Sequence, residues 1–279
     1  MPELPEVETM VRGIRPFVEG RRVIDFKGCP THCRPISILP PCADVFHKIQ
    51  NQVVTTVGRM GKRIVLEFPN RLSLVIEPRM TGLVLMAHPP DTTHLRFELK
   101  FSGRRQFNSI WFWDRRGLGT VRLFDPDQRE NALGKTRLGP DALEITEAQW
   151  RERLGRTRRA IKTALLDQKL VAGIGNIYAS EILHRARIDP QRCADSLNSN
   201  ELKRLAVAVR SVLELAIELE GSTLGDGTYR NALNKPGQYQ NEHRVYMRDG
   251  EQCTTCNRAT ILRMVQTQRS TFHCSYCQK

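Results

Sequence analysis

The chain has 279 residues, enough for one large domain or two ordinary ones, and is 40% hydrophobic and 26% charged with only 6% aromatics. That composition excludes disorder, collagen and a membrane bundle; the best apolar run, residues 72–86, is broken by Glu77, Pro78 and Arg79, short of the roughly 18 residues a span needs. Lysine and arginine outnumber aspartate and glutamate by 43 to 30, a net charge of +13 shared between the two halves of the chain instead of gathered in a tail. A folded surface of that sign suits polyanions, although charge alone does not separate nucleic acid from anionic lipid.

Glu3, Glu6 and Glu8 stand where a secretory signal would be basic and then apolar. The expectation is therefore a cytoplasmic protein in a reducing compartment, whose eight cysteines form no disulfide framework. Residues 5–18 have helical periodicity, with Val7, Met10, Val11, Ile14 and Val18 on one face and Pro5 in the first turn. From about Arg22 to Phe124 the chain reads as strands at 53–57, 63–68, 72–76, 83–86, 95–101, 110–113 and 120–124. Gly and Pro turns separate them, which predicts an antiparallel sandwich. Residues 125–142 are polar and rich in Gly, Pro and Asp, a domain boundary.

A helical half follows. Thr146-x-x-Gln149 is a capping box, and later helices are expected at 158–170, 175–186 and 200–220. Val171-Ala-Gly-Ile-Gly-Asn176 is a glycine-bearing joint between two of them, and the helix it opens offers free N–H groups to a phosphate. Residues 221–241 form a long Gly/Asn-rich loop. At the end of the chain Cys253-x2-Cys256 and Cys274-x2-Cys277 are separated by 17 residues, the spacing of a four-cysteine zinc site. The stretches 259–265 and 270–273 have strand composition, so a two-stranded zinc ribbon is expected, with one structural Zn2+ supplying much of its folding free energy. Cys29, Cys33, Cys42 and Cys193 are assigned no function.

No P-loop, GxSxG elbow or HExxH is present; chemistry points instead to Met1-Pro-Glu-Leu-Pro-Glu6. Removal of Met1 would leave Pro2 with a secondary amine. Its pKa would lie near the ~8 of an α-amino group, against ~10.4 for lysine, so far more of it is unprotonated at neutral pH. Such an amine condenses with an aldehyde to a charged iminium, an electron sink for eliminations. Glu3 is placed to protonate a leaving group or ring oxygen, and Glu6 to support the first helical turn.

The segment Met1-Pro-Glu-Leu-Pro-Glu-Val-Glu-Thr9 resembles the N-terminus of formamidopyrimidine-DNA glycosylases, the bifunctional repair family that also includes endonuclease VIII. The resemblance covers essentially the whole chain. Gly61-Lys62 looks like the family's catalytic-domain lysine turn, and Met80-Thr-Gly82 like its Met-Ser/Thr-Gly strand end. Residues 165–181 are close to the helix–two-turn–helix signature, and Gln268-Arg-Ser-Thr-Phe272 to the zinc-finger arginine motif. Taken singly, Lys62 reads as a solvated turn lysine, Asn176 as a helix cap and Arg269 as a surface charge, but those readings must jointly explain four motifs in the family's order.

The resemblance implies an α+β protein: a catalytic helix-plus-sandwich domain at 1–125, a linker at 126–145, a helix–two-turn–helix DNA-binding domain at 146–241 and a zinc ribbon at 242–279. It implies a monomer acting on double-stranded DNA with damaged bases or abasic sites, away from membranes and near a bacterial nucleoid. The enzyme would excise oxidised purines such as 8-oxoguanine and formamidopyrimidines, then cleave by β,δ-elimination. Pro2 would be the nucleophile and Glu3 the acid that opens the ribose. Lys62 and Arg269 would assist elimination, and Asn176 with Arg269 would grip phosphates. His94 and Arg158 match DNA-contacting positions of the family. Met80, Arg116 and Leu118 fall in or beside its intercalation loop.

That loop departs from the family. Where relatives commonly read Asp-Pro-Arg-Arg-Phe-Gly, this chain has Asp114-Arg-Arg-Gly-Leu-Gly119, so the second arginine becomes Gly117 and the phenylalanine Leu118. Arg116 is left as the residue to reach the widowed base. The middle of 221–241 is also unlike the family's. Two other readings stand beside the first: an endonuclease VIII-like enzyme for oxidised pyrimidines, against which Leu4 speaks, and a DNA-binding paralogue without catalysis.

Overall fold

The computed structural model describes residues 2–87, 89–103 and 106–279. By contacts the chain forms two units, Met1–Gly134 with Leu219–Gln238, and Lys135–Glu218 with Tyr239–Lys279. Residues 219–238 thus group with the first unit, whereas the sequence pattern puts them in the helical segment 146–241. The reason is a set of hydrogen bonds from this segment to the first helix, described below.

In the first unit α1 (Leu4–Val18) opens with Pro5 in its first turn, and its periodic face, Val7, Met10, Val11, Ile14 and Val18, is buried as the spacing requires. Two sheets follow. One runs β1-β7-β8-β6 (Val23–Gly28, Leu95–Phe101, Ser109–Asp114, Gly82–Leu85), the other β2-β9-β5-β4-β3 (Ser37–Leu39, Thr120–Phe124, Ser73–Glu77, Arg63–Glu67, Thr56–Met60). Their inner faces share one core with α1, including Leu66, Leu74, Ile76, Phe97 and Phe112.

The sandwich is antiparallel apart from β2, which pairs parallel to β9. The expected strand at 53–57 lies at β3, Thr56–Met60, because Val53 bridges Arg22 and leaves Thr56 to start the ladder opposite Glu67. A short helix α2 (Cys42–Ile49) sits within the stretch read as strand-like.

Three bonds fasten α1 along β3: Arg15 Nε donates to the Val57 carbonyl at 2.9 Å, Glu19 accepts from Val57 N–H at 2.6 Å, and Arg59 Nε pairs with Glu8 at 2.9 Å. Partial burial works to raise the Glu8 carboxyl, but the guanidiniums of Arg12 and Arg59 outweigh it and hold it below its ordinary value. A depressed folded value stabilises above the unfolded carboxylate range and is lost as pH falls through the folded value. Acid unfolding followed by circular dichroism is expected to begin at higher pH in Glu8→Gln than in the native chain.

The predicted linker is not wholly irregular. Asp125 accepts from Gln128 N–H at 2.8 Å and, with Pro126 in the first turn, starts α3 (Pro126–Leu133), which buries none of its side chains and so has no apolar stripe to reveal it. In the second unit α4 (Glu147–Leu154) opens on the Thr146–Gln149 capping box as expected. The helix expected at 158–170 contracts to α5 (Ile161–Leu165). Beyond it, side chains take over the backbone donors: Asp167 accepts from Lys169 N–H at 2.9 Å and Gln168 from Gly173 N–H at 2.9 Å.

The next helices, α6 (Asn176–Ala186) and α7 (Ser199–Glu218), fall within two residues of their expected bounds and pack together. The ribbon strands β10 (Ile261–Gln266) and β11 (Arg269–Cys274) pair antiparallel around a small core of Val245, Ile261 and Phe272. No helix among the described residues is long and apolar enough to cross a membrane.

Candidate functional site

In the first unit the chemistry-bearing residues gather where α1 begins. Pro2 and Glu3 are buried. The bonds to β3 run from Arg15–Val57 to Glu8–Arg59, so the β3–β4 turn, Gly61-Lys62, lies toward the end of α1 that carries Pro2 and Glu3. Gly61 takes φ +57, which a glycine adopts without strain, and Lys62 is half-buried beside it.

Glu6 does more than cap the helix. One carboxylate oxygen accepts from Glu3 N–H at 2.8 Å and the other from Ser222 N–H at 2.9 Å. Glu6 therefore fixes both the N-terminal residues and the start of the loop 219–238. The buried Tyr229 hydroxyl donates to the Glu6 carbonyl at 3.4 Å; burial first, then the Glu6 charge, pushes this phenol well above its ordinary value. The loop is bound internally as well: Thr223 Oγ1 donates to Tyr229 O at 2.8 Å and accepts from Gly237 N–H at 2.9 Å. At Gly221, φ +80, a Cβ would stand 2.8 Å from Glu6 Oε1, so only glycine fits that approach. A helix-period or strand-period scan is blind to this loop because its bonds are to backbone groups.

A second cluster is built on Asp114, fully buried at the end of β8. Thr81 Oγ1 donates to one of its carboxylate oxygens and Gly119 N–H to the other at 2.8 Å, while Arg116 N–H donates to Thr81 Oγ1 at 2.9 Å. These bonds close the loop 114–119 against the turn 78–82. Met80, 38% exposed, and half-buried Leu118 thus come from segments joined by Thr81 and Asp114, with Arg116 exposed beside them. Arg115 instead reaches the loop 219–238, donating to Thr228 Oγ1 at 2.9 Å. His94 Nδ1 lies 2.8 Å from an Asp91 oxygen, and its ring meets Trp113 edge-on. Burial acts to raise the Asp91 carboxyl, but the bonds from His94 win and hold it low.

Gly117 sits at φ +60, and a Cβ there would stand 2.4 Å from the Arg34 carbonyl oxygen. The position excludes every side chain, through both the left-handed backbone and the apposed loop. We expect Gly117→Arg to lower stability by about 2–3 kcal/mol, read as a shift in the denaturation midpoint; an unchanged midpoint would show that the two loops part freely.

In the second unit a hub forms around Lys162, a residue for which the sequence offers no signal beyond its place just before the signature. Its fully buried ammonium donates to Asn176 Oδ1 at 2.8 Å, Ser270 O at 2.9 Å and Thr271 Oγ1 at 2.7 Å. Asn176 Nδ2 donates to Ser270 O at 3.1 Å, so the first residue of α6 and the start of β11 are locked together. Arg269, adjacent to Ser270, is exposed. The turn before it places Thr267 at φ +45 and Gln268 at φ +60, a two-residue hairpin made without glycine, and such strain often marks a functional site. Arg158, 93% exposed, has only an ion pair to Asp195 at 3.6 Å among the described residues. Lys162→Met would leave Asn176 Oδ1 and Thr271 Oγ1 without the ammonium's donation and Ser270 O with the Asn176 amide alone; a loss of about 3 kcal/mol is expected in chemical denaturation. A loss below about 1 kcal/mol would contradict the hub.

The four cysteines expected to hold metal converge, their Sγ atoms all within 4.8 Å of one another. Cys253–Cys277 and Cys256–Cys274 are 3.8 Å and 3.7 Å apart. A tetrahedron with metal–sulfur bonds of about 2.3 Å has edges of about 3.8 Å, so the donor set fits a four-thiolate ion. Cys29, Cys33, Cys42 and Cys193 are free thiols.

Two family models match: residues 1–121 match the formamidopyrimidine-DNA glycosylase N-terminal domain and residues 138–227 the formamidopyrimidine-DNA glycosylase H2TH domain. The chain is 37% identical to the formamidopyrimidine-DNA glycosylase of Chloroflexus aurantiacus, over 100% of this chain and 98% of that protein. The chain belongs to the formamidopyrimidine-DNA glycosylase family. Among solved family structures it is similar to the MutM (Fpg) protein of Thermus thermophilus, with a TM-score of 0.85, 37% identity and coverage of 99% and 98% of the two chains. It is also similar to a mutant Fpg of Lactococcus lactis in complex with Fapy-dG-containing DNA, with a TM-score of 0.87, 30% identity and all of both chains covered. This family of DNA-repair glycosylases thus accounts for the α+β sandwich, the helix–two-turn–helix segment and the four-cysteine ribbon together.

Proposed function

We propose that this protein excises oxidised purines, 8-oxoguanine and formamidopyrimidines, from double-stranded DNA and then cleaves the abasic strand by β,δ-elimination. The observation that carries the reading is the buried Pro2-Glu3 segment held by Glu6 at the end of α1 toward which the Lys62 turn lies. The Fapy-dG complex of the Lactococcus lactis relative supports the lesion class.

With Met1 removed, the Pro2 nitrogen attacks C1′ of the damaged nucleotide and the glycosidic bond breaks, the base leaving with its electron pair and a proton. Glu3 protonates the ring oxygen, opening the sugar to an iminium on Pro2. Loss of a C2′ proton expels the 3′ phosphate, a further elimination expels the 5′ phosphate, and hydrolysis returns the free amine. Lys62 and Arg269 carry phosphate charge during these steps, and Asn176, His94 and Arg158 contact the backbone. Met80 and Leu118 occupy the space the flipped nucleotide leaves. Cys253, Cys256, Cys274 and Cys277 hold one zinc ion, which supplies folding energy and takes no part in the reaction. The protein acts as a monomer in the cytoplasm.

Borohydride trapping on duplexes carrying 8-oxoguanine or an abasic site tests the reading. A covalent adduct on both is expected. Adducts on the abasic duplex alone would remove the oxidised-purine assignment, and none on either, from protein shown to lack Met1, would favour the DNA-binding paralogue.

A further inference from the structure

We propose that His184 supports the four-cysteine metal site from α6, its imidazole Nε2–H donating to the Cys253 thiolate. The inference rests on the one-zinc reading given above and goes beyond it, to a residue that is not itself a ligand.

Charge sets the requirement. Four thiolates around one divalent cation leave two net negative charges, and such charge is costly away from water unless N–H groups point at it. Two of the four cysteines, Cys253 and Cys274, are fully buried. The Cys274 sulfur accepts from the backbone N–H of Cys277 at 3.5 Å. The Cys253 sulfur is supplied differently. Among the described residues it has one partner outside the cysteines, His184 Nε2 at 3.7 Å, a distance that the large radius of sulfur allows.

A metal-bound thiolate can only accept, so the ring nitrogen that faces it must carry a proton. The site thereby selects the Nε2–H tautomer of the imidazole. His184 lies in the last turn of α6 and is 5% exposed, so little water competes for the bond. The contact also completes a pattern. At the other end of α6, about 12 Å away along the helix axis, Asn176 is bonded to Ser270 of β11. Just beyond the C-terminal end, Gln278 Nε2 donates to Ile188 O at 2.9 Å and Asp189 N–H to Lys279 O at 3.0 Å. The ribbon thus holds α6 at both ends, and at Cys253 it does so through a metal ligand. Metal occupancy is therefore felt directly by the helix, without passing through the strands.

The zinc affinity of the full chain, measured by competition with a chromogenic chelator, tests the proposal. His184→Phe keeps a ring and removes the N–H; it is expected to weaken zinc binding by about 10- to 100-fold. His184→Gln returns a side-chain N–H and is expected to recover much of that loss. Equal affinity in His184→Phe overturns the proposal. So does an equal loss in both variants, which would show that the imidazole only fills space. A further readout needs no variant. In the zinc-loaded native protein, long-range proton–nitrogen correlation spectra of labelled histidines are expected to place a proton on His184 Nε2. A bare Nε2 overturns the proposal even where a variant fails to fold. Metal analysis separates the two levels: a native chain that takes up no zinc defeats the four-cysteine reading, whereas one zinc per chain with a bare Nε2 defeats the role of His184 alone.

Discussion

A chain that keeps its N-terminus blocked, by an uncleaved tag or by Pro2→Gln so that Met1 stays, is expected to lose strand cleavage by on the order of 10³-fold or more and to give no borohydride adduct. The reason is specific to the amine. An α-amino group titrating near ~8 is about one tenth unprotonated at neutral pH, against less than about one thousandth for lysine at ~10.4. A secondary amine also yields an iminium that needs no further protonation to accept electrons. Glu3→Gln retains that amine and removes the acid; a fall of about 10²- to 10⁴-fold is expected, with the N-terminal adduct still detectable by mass spectrometry on an abasic duplex. Because Glu6 holds both Glu3 and Ser222, Glu6→Gln is the informative comparison: it keeps the shape but weakens a charge-assisted clamp. An adduct mapped to Lys62 in the blocked chain would overturn the assignment of the nucleophile.

Removing zinc, by chelation or by Cys253→Ser, is expected to unfold residues 242–279 and to abolish tight binding to an abasic duplex. The ribbon's own core is Val245, Ile261 and Phe272 with the cysteines, far too small to fold by burial, whereas structural zinc contributes about 10–16 kcal/mol in comparable peptides. The loss should spread beyond the ribbon. Lys162 and Asn176 take Ser270 and Thr271 as partners, so melting β11 strands a buried ammonium at the start of α6. Hydrogen exchange would show lost protection in 242–279 and in the first turn of α6, with metal analysis giving one zinc per chain beforehand. Retained protection after complete zinc loss would refute the structural role. In both experiments binding should weaken steeply with added salt, since each lysine or arginine contact releases counterions from DNA.

Regular elements were legible because apolar spacing encodes them. The buried faces of α1 and α7 follow the helical period, and β4 and β5 stand out as short apolar runs between turn residues. The short helix α3 was not legible, because its capping box exists without an apolar stripe. The helix at 158–170 was overdrawn because Asp167 and Gln168, acceptable in a helix, bond backbone donors instead.

At the sites the division is similar. The four converging cysteines, and Pro2 and Glu3 as candidates, stand out in the sequence, since CxxC spacing and an N-terminal amine carry their chemistry within a few residues of chain. Only the tertiary structure revealed the bond from Glu6 to a loop more than 200 residues away, Lys162 between two helices and the ribbon, and Arg34 against Gly117. Each of these depends on a distance between groups remote in sequence, or on a positive φ that no periodicity reports. Local pattern determines which elements form and which residues can react, and long-range packing decides which of those residues meet.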